Sequence, residues 1–388
     1  MGRTSVLRVP GMPALVAVSL TGFSGYAALL ATAPAWAVHG GASEAGAGLV
    51  NGVLLAATVL TQMCVPALLR AFGTAPVLVV SMFLMGVPAA AYAFSDALVP
   101  VLALSAVRGA GFGIITVVGS TVVAHLVEPA RRGEAVGVYG LAVAAPMIVL
   151  LSAGVAVAES AGYGWVFAVA SLPLLGVPWA WSLGRRVDAT PTSASHEGST
   201  GSTSHGAVRL VLRPTAVLFA VTMAGGATMT FAPQLGIGGG WAAAALFAMS
   251  LTSALSRWRA GLLADRHGPE RFIAPLLVLT AVGLLLCVAA IIRDSGWLLV
   301  LAALVLGPPY GALQNLTLLI AFARVPARDL PTASAAWNLG FDAGTATGSV
   351  VVGALAAAFA FGPAFAVMVV VVLAALLLAP RRPARVPA

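Results

Sequence analysis

Long apolar runs separated by short polar segments make up most of this chain of 388 residues. A helix needs about 20 apolar residues to cross a hydrocarbon core of about 30 Å. With charged clusters and Gly or Pro breaks as boundaries, the pattern predicts twelve spans, at residues 13–37, 48–69, 76–97, 99–125, 135–157, 163–184, 214–236, 240–260, 273–292, 296–322, 333–357 and 361–380. Membrane β-strands would instead alternate polar and apolar residues over about ten positions. We therefore predict an all-α integral membrane protein with twelve transmembrane helices.

Composition excludes a water-soluble protein. Apolar residues make up 60% of the chain and charged residues 8%, with a mean hydropathy of +1.01, whereas soluble domains carry about 25% charged residues. The net charge is +8, and every basic residue is an arginine. The arginines lie in short clusters between apolar runs, which predicts contact with membrane lipid and no binding of nucleic acid.

The arginines also predict the orientation of the spans, because short cytoplasmic loops are rich in basic residues. With the spans above, and with Arg257 and Arg259 assigned to the cytoplasmic end of the eighth span, all arginines fall on one side of the membrane except Arg293, on the other side, and Arg108, within the fourth span. We expect a multi-pass protein of the cell membrane with both termini in the cytoplasm.

A stretch rich in Ser, Thr and Gly at residues 187–212 separates the sixth span from the seventh. This composition is typical of a flexible linker. It predicts a six-helix bundle at residues 1–186, a cytoplasmic linker at 187–212 and a second six-helix bundle at 213–388. Short matches in the same order indicate duplicated halves; they include Pro129-Ala130-Arg131 with Pro326-Ala327-Arg328, and Phe167-Ala168-Val169 with Phe365-Ala366-Val367.

Four motifs along the chain resemble those of the major facilitator superfamily. They are a G-x-x-x-D-R-x-G pattern at residues 261–268, the loop at 131–137, the entry to the sixth span at 162–167 and the segment 338–344 of the eleventh span. The resemblance implies two six-helix bundles around a central cavity that opens alternately to each side of the membrane. It also implies a cytoplasmic gating motif, formed by Gly261, Asp265, Arg266, Gly268, Arg131 and Arg132.

Two positions depart from the family pattern. In the first half, Arg70 and Ala71 stand where the D-R pair of the loop motif is expected. In the fifth span, the Gly-Pro of the family's antiporter signature is represented by Ala145-Pro146, after Gly140. This antiporter-like motif still favours export over uptake.

Two charged residues are predicted deep inside spans. Arg108 lies about 15 Å from the outer end of the fourth span, and Asp342 about 14 Å from the start of the eleventh, at 1.5 Å per residue. Charges within hydrocarbon are costly and usually functional, and a buried carboxyl group can exchange a proton near neutral pH. We predict that Asp342 couples transport to protons and that Arg108 opposes it across the cavity. The alternative is that both residues satisfy local backbone groups or a structural pair.

Polar and aromatic residues on the expected cavity-facing helices are the candidate substrate contacts. They are Tyr26, Gln62, Gln234, Tyr310, Gln314, Asn315 and Asn338. Hydrogen bonds between packed helices are an equally good explanation for each of them.

These features favour a secondary active transporter that exports a small amphipathic or cationic molecule in exchange for protons. The main alternative is an uptake symporter for a sugar or another small solute; an integral-membrane enzyme and a transport-dead sensor are less favoured. The chain has no H-E-x-x-H or G-x-S-x-G motif and, without lysine, no ATP-binding P-loop. We therefore predict no enzymatic activity, no cofactor other than the proton gradient as energy source, and a monomer.

Overall fold

The structure is a computed structural model that describes residues 6–127, 132–189, 205–238, 240–326 and 329–379, and all structural statements below concern these residues. They form α-helices and short 3₁₀ turns, with no strand among them. The α-helices are α1 (Met12–Leu30), α2 (Thr32–His39), α3 (Glu44–Phe72), α4 (Thr74–Ala91), α5 (Leu98–His125), α6 (Arg132–Ala161), α7 (Tyr163–Ala170), α8 (Val177–Ala189), α9 (His205–Phe231), α10 (Trp241–His267), α11 (Ile273–Ile292), α12 (Gly296–Ala323), α13 (Leu330–Phe359) and α14 (Phe361–Ala374). The all-α fold predicted from the sequence is confirmed.

Each predicted span corresponds to one helix or to consecutive helical pieces. The first span is divided at Ala31 into α1 and α2, and the sixth is divided into α7 and α8 by a 3₁₀ turn at Leu172–Gly176. Proline explains both breaks, because it lacks the N–H that would bond to the carbonyl four residues earlier. Pro34 lies in the first turn of α2, and Pro173 lies in the 3₁₀ turn.

Eleven helical stretches of the described residues are long and apolar enough to cross a membrane. The exception among the twelve predicted spans is α10, which has 27 residues and is therefore about 40 Å long. This helix is long enough to span but unusually polar, and it continues to His267, beyond the predicted end at residue 260. Its polarity marks it as a helix that does not face lipid on all sides.

The chain divides into two compact units. Unit 1 comprises Met1–Ala42 and Val53–Ser195, and unit 2 comprises Ser43–Gly52 and His196–Ala388. The first residues of α3 therefore group with the second unit, although the sequence assigned them to the first bundle. Asn51 in this segment donates from Nδ2 to Thr230 Oγ1 at 2.9 Å, and Thr230 Oγ1 lies 2.8 Å from Ser349 Oγ.

The predicted linker is helical at both of its ends. Helix α8 continues to Ala189 and α9 begins at His205, while residues 190–204 lie outside the described residues. Asp188, assigned to the linker from sequence, lies in α8 and caps the start of α4. Its carboxylate accepts hydrogen bonds from the backbone N–H groups of Thr74 (2.8 Å) and Ala75 (3.1 Å).

Small residues bring the helices of each unit close together. In unit 1, Ser81 of α4 donates to the carbonyl of Gly111 on α5 at 2.7 Å. In unit 2, α10 packs on α12 and α9 on α13. A Cβ added at Gly307 or Gly311 of α12 would collide with the backbone of α10, so these glycines permit the close approach of the two helices.

Candidate transport site

Four side chains on three helices of unit 2 form a polar cluster, which we call the Arg257 cluster. Its members are Arg257 on α10, Tyr310 and Gln314 on α12, and Asp342 on α13. Depth is measured from the side where α10 and α12 end and α13 begins, at 1.5 Å per residue. Arg257 lies about 15 Å from the end of α10, and Tyr310 and Gln314 lie about 20 and 14 Å from the end of α12. Asp342 lies about 18 Å from the start of α13. All four therefore lie at a similar depth, well inside the helices.

The close packing of α10 on α12 positions this cluster. Gly307 and Gly311 lie four residues apart on the face of α12 that meets α10, and Gln314 continues that face one turn later. The Arg257 guanidinium donates from Nη2 to Gln314 Oε1. Asn315 Nδ2 donates to the backbone carbonyl of Arg257 at 2.9 Å, which further ties the two helices together.

Tyr310 is the residue of the cluster that neighbours both charges. It interacts electrostatically with both Arg257 and Asp342, and its hydroxyl interacts with the side chain of Gln314. Asp342 is buried, with 8% of its surface exposed. Asp342 and Arg257 thus share Tyr310 as an electrostatic neighbour, and Arg257 also contacts two further predicted cavity residues, Gln314 and Asn315.

Arg257 is the member of the cluster that the sequence analysis missed. Arg257 lies three residues before the predicted end of the eighth span at residue 260, and the sequence analysis therefore assigns it to the cytoplasmic side. A usable signal was present, because the G-x-x-x-D-R-x-G motif ends the helix at Gly268. The N–H of Gly268 bonds to the carbonyl of Ala264 at 2.9 Å, and its φ of 78° is one that glycine readily adopts.

Arg108, the other predicted charge, lies in unit 1 and is enclosed by protein, although its Nε has no hydrogen-bond partner. It is 2% exposed, donates from Nη2 to the Gly25 carbonyl at 2.9 Å and from Nη1 to the Tyr92 hydroxyl at 3.5 Å. Its guanidinium also lies 5.6 Å from the centre of the Tyr92 ring. Tyr92 in turn hydrogen-bonds Ser105 at 2.6 Å. That Arg108 opposes Asp342 stays a prediction.

The remaining predicted cavity residues have local partners. In unit 1, Tyr26 is buried and stacks on Phe112 with ring centres 4.0 Å apart. Gln62 donates from Nε2 to Thr116 Oγ1 at 3.2 Å. In unit 2, Gln234 and Asn338 bond to carbonyls of their own helical segments, at Thr230 and Ser334 respectively.

The predicted gating motif lies at the end of α10. Gly261, Asp265 and Arg266 belong to the last two turns of the helix, and Gly268 is its C-terminal cap. Arg132 is the first residue of α6, and Arg131 lies outside the described residues. At the same end of unit 2, Arg324 bonds to Glu270 at 3.3 Å, an ion pair that the sequence analysis did not identify.

The antiporter-like motif of the fifth span lies within α6. Pro146 is buried inside this helix, Ala145 is half-buried and Gly140 is exposed. A Cβ added at Gly140 would meet no atom within 4 Å. Close helix packing therefore does not explain this glycine.

No metal site is evident in the part of the chain that the structure describes. No three side chains of His, Cys, Asp or Glu come together there. Both cysteines are free, with Cys64 exposed and Cys287 buried. The chemistry available in the Arg257 cluster is thus that of an acid, a cation, a phenol and amides.

Comparison with known proteins places this arrangement in a family. A model of the Major Facilitator Superfamily matches residues 14–261 and 230–388. No curated protein sequence matches the chain. Three similar solved structures are a bacterial homolog of the human lysosomal transporter Spinster (14% identity, 97% of this chain and 96% of that one, TM-score 0.76), the peptide transporter POT in complex with sulfate (15%, 98% and 96%, 0.75) and the nucleoside transporter NupG (13%, 95% and 99%, 0.73). At these identities the structural matches show the fold, and the family model covers nearly the whole chain. The chain therefore belongs to the Major Facilitator Superfamily of membrane transporters.

Proposed function

We propose that this protein is a proton-coupled secondary active transporter of a small molecule, in which Asp342 carries the coupled proton. On this proposal it is a carrier and not an enzyme, the proton gradient is its energy source, and it works in the cell membrane with both termini in the cytoplasm. The observation that carries the proposal is the position of Asp342, a buried acid deep in α13 whose electrostatic neighbour Tyr310 is also a neighbour of the cation Arg257.

The surroundings of Asp342 suit an acid that changes its charge during a cycle. Charged groups inside the hydrocarbon region are retained mainly for ion or proton pathways. Helix α13 packs against α9, α12 and α14. Tyr310 is the titratable side chain that α12 contributes, α14 contributes none, and Arg209 and Arg213 of α9 lie near the start of that helix. Arg257 of α10 completes the set at this depth.

Two coupling schemes use these groups differently. If the substrate is an amphipathic cation, proton and substrate compete for Asp342, which gives exchange and export; the motif at Gly140 and Ala145-Pro146 favours this direction. If the substrate is an anion, protonation of Asp342 leaves Arg257 without an opposing charge and strengthens anion binding. Proton and anion then move together, which is symport, and the presence of Arg257 specifically favours this second candidate.

Substrate-dependent proton movement in proteoliposomes tests the proposal. The purified protein is reconstituted with a pH-sensitive dye inside and challenged with cationic, neutral and anionic compounds that cross protein-free liposomes slowly. We expect at least one compound to drive proton movement, and Asp342→Asn to reduce that movement by about tenfold or more, because the side chain keeps its shape but binds no proton. The direction of proton movement distinguishes exchange from symport.

Asp294→Asn is the matched control. Asp294 is exposed after α11 and has a φ of 46°, which asparagine adopts readily, so we expect wild-type proton movement. If Asp342→Asn moves protons as the wild type does, Asp342 is not the coupling acid and the proposal fails.

A further inference from the structure

Two hydrogen-bond donors in the Arg257 cluster are left without a full set of acceptors. Gln314 is 2% exposed; its side chain interacts with the Tyr310 hydroxyl, but its Nε2 makes no hydrogen bond of normal geometry. Its Oε1 accepts a hydrogen bond from the Arg257 guanidinium, so the amide nitrogen lies next to that guanidinium. A buried N–H group without an acceptor is destabilising, so this donor favours a ligand that supplies an acceptor.

Arg257 also has N–H groups that the hydrogen bond to Gln314 does not use. A guanidinium carries five N–H donors in a planar fork, and the Arg257 guanidinium uses one of them to bond Gln314. The residue is exposed, although it lies about 15 Å from the end of α10 at 1.5 Å per residue. A guanidinium at this depth cannot stably face acyl chains, and its accessible surface therefore faces water or a ligand.

The charge balance around these donors favours an anion. Helix α12 contains no acidic residue, and the single acid of α10 is Asp265, in its last turn. Asp342 is the acid whose field reaches Tyr310 together with that of Arg257. When Asp342 is protonated, the cation of the cluster has no opposing charge at its own depth on these three helices.

We propose that the transported molecule carries a carboxylate, which binds the Arg257 guanidinium and Gln314 Nε2 together. The planar fork of arginine matches a carboxylate, and charge-assisted hydrogen bonds of this kind are short and strong. The inference rests on the proposed transport function and refines it: the amphipathic substrate expected from the sequence is an anion and not a cation. Tyr310, adjacent to both charges, lines the same site.

Ligand binding to the purified full-length protein in detergent tests this inference without any proton gradient. The probes are straight-chain carboxylates from acetate to octanoate, each paired with the amide and the amine of the same carbon skeleton. The readout is the melting temperature from intrinsic fluorescence, titrated to give a Kd. We expect carboxylates of at least one chain length to stabilise the protein more than the paired amide and amine.

Variants of the donors decide whether the stabilisation arises at this site. Arg257→Gln should weaken carboxylate binding by about tenfold or more, Gln314→Leu by several-fold, and Arg257→Lys should retain part of the affinity, since lysine keeps the charge but loses the fork. Arg259→Gln is the matched control, because it removes the same charge from an exposed position two residues away on α10, and we expect unchanged binding.

Three outcomes overturn the proposal: no carboxylate stabilises the wild type at any chain length, the amines stabilise it more than the carboxylates, or Arg257→Gln and Arg259→Gln bind carboxylates equally well. If carboxylates fail to bind at this site but a substrate still drives proton movement, the carboxylate proposal is wrong and the proposed transport function stands. Carboxylate binding without proton movement in proteoliposomes would support the anion site and contradict the proposed proton-coupled transport.

Discussion

Two arginines lie deep within helices of this protein, one in each unit, and their surroundings differ. Arg108 in unit 1 is enclosed, bonded to a backbone carbonyl and to a tyrosine whose ring also faces the guanidinium. Arg257 in unit 2 is exposed and bonded to an amide whose own nitrogen lacks a partner. The Nε of Arg108 also lacks a hydrogen-bond partner but is buried, whereas Arg257 is accessible.

This difference teaches that depth alone does not identify a transport residue. A charge in the hydrocarbon region signals function only on average, because main-chain carbonyls and aromatic rings also stabilise a guanidinium. The accessibility of the guanidinium to a ligand is the better criterion. By that criterion Arg257 is the stronger candidate for substrate binding, while the role of Arg108 stays a prediction.

Replacing each arginine by methionine should give opposite phenotypes, and this is the largest effect we expect. Arg108→Met leaves the Gly25 carbonyl and the Tyr92 hydroxyl without their charged donor and should destabilise the protein by about 2–3 kcal/mol. Arg257→Met should change the melting temperature little but abolish carboxylate binding. Melting curves and binding titrations of both variants in detergent measure this. If the two variants lose the same amount of stability, the proposed difference between Arg108 and Arg257 is wrong.

The tyrosine beside each arginine sharpens the same contrast at a smaller scale. Tyr92→Phe removes a hydroxyl that bonds Ser105 at 2.6 Å and Arg108 at 3.5 Å, and should cost about 1–2 kcal/mol of stability. Tyr310→Phe should leave the melting temperature within a few degrees and instead weaken substrate-driven proton movement. A Tyr310→Phe variant with wild-type proton movement would restrict that hydroxyl to a packing role.

An aspartate at the helix ends of each unit provides the smallest test. Asp188→Ala in unit 1 removes the cap of α4 and should lower stability by about 1 kcal/mol, with the transport rate per folded molecule unchanged. Asp265→Asn, in the gating motif of unit 2, should slow transport while the melting temperature is kept, because it shifts a conformational equilibrium. Melting temperatures and transport rates normalised to folded protein test both variants. Slower transport by Asp188→Ala together with a lower melting temperature of Asp265→Asn would contradict this prediction.

Much of the fold follows from the sequence because hydrocarbon imposes a simple rule on the chain. Backbone groups must bond within the segment, so apolar runs of span length become helices. The division of the first span is explained by Pro34, which has no N–H to donate to the carbonyl four residues earlier. The linker was less predictable, since its composition gave no sign that Asp188 reaches the N–H groups of Thr74 and Ala75.

The candidate site was only half predictable, for a physical reason. Asp342 is recognisable as a charge inside an apolar run, but Arg257 lies in a helix polar enough to resemble a span end. The partners of Arg108 were not predictable at all: Gly25 is 83 residues away along the chain, and a glycine carbonyl carries no compositional signal.

The polarity of α10 has a consequence for how the protein is made. An arginine near the centre of a helix costs about 2.5–3.5 kcal/mol when the helix enters the bilayer alone, so α10 inserts poorly by itself. The glycine-lined face that accepts it belongs to α12, which is complete only after roughly 55 further residues have been synthesised, about 3–11 s at about 5–20 residues per second. We therefore expect α10 to wait at the insertion machinery or the bilayer surface during those seconds. On this expectation the insertion of unit 2 is cooperative, and its most polar helix enters after its partner and not in chain order.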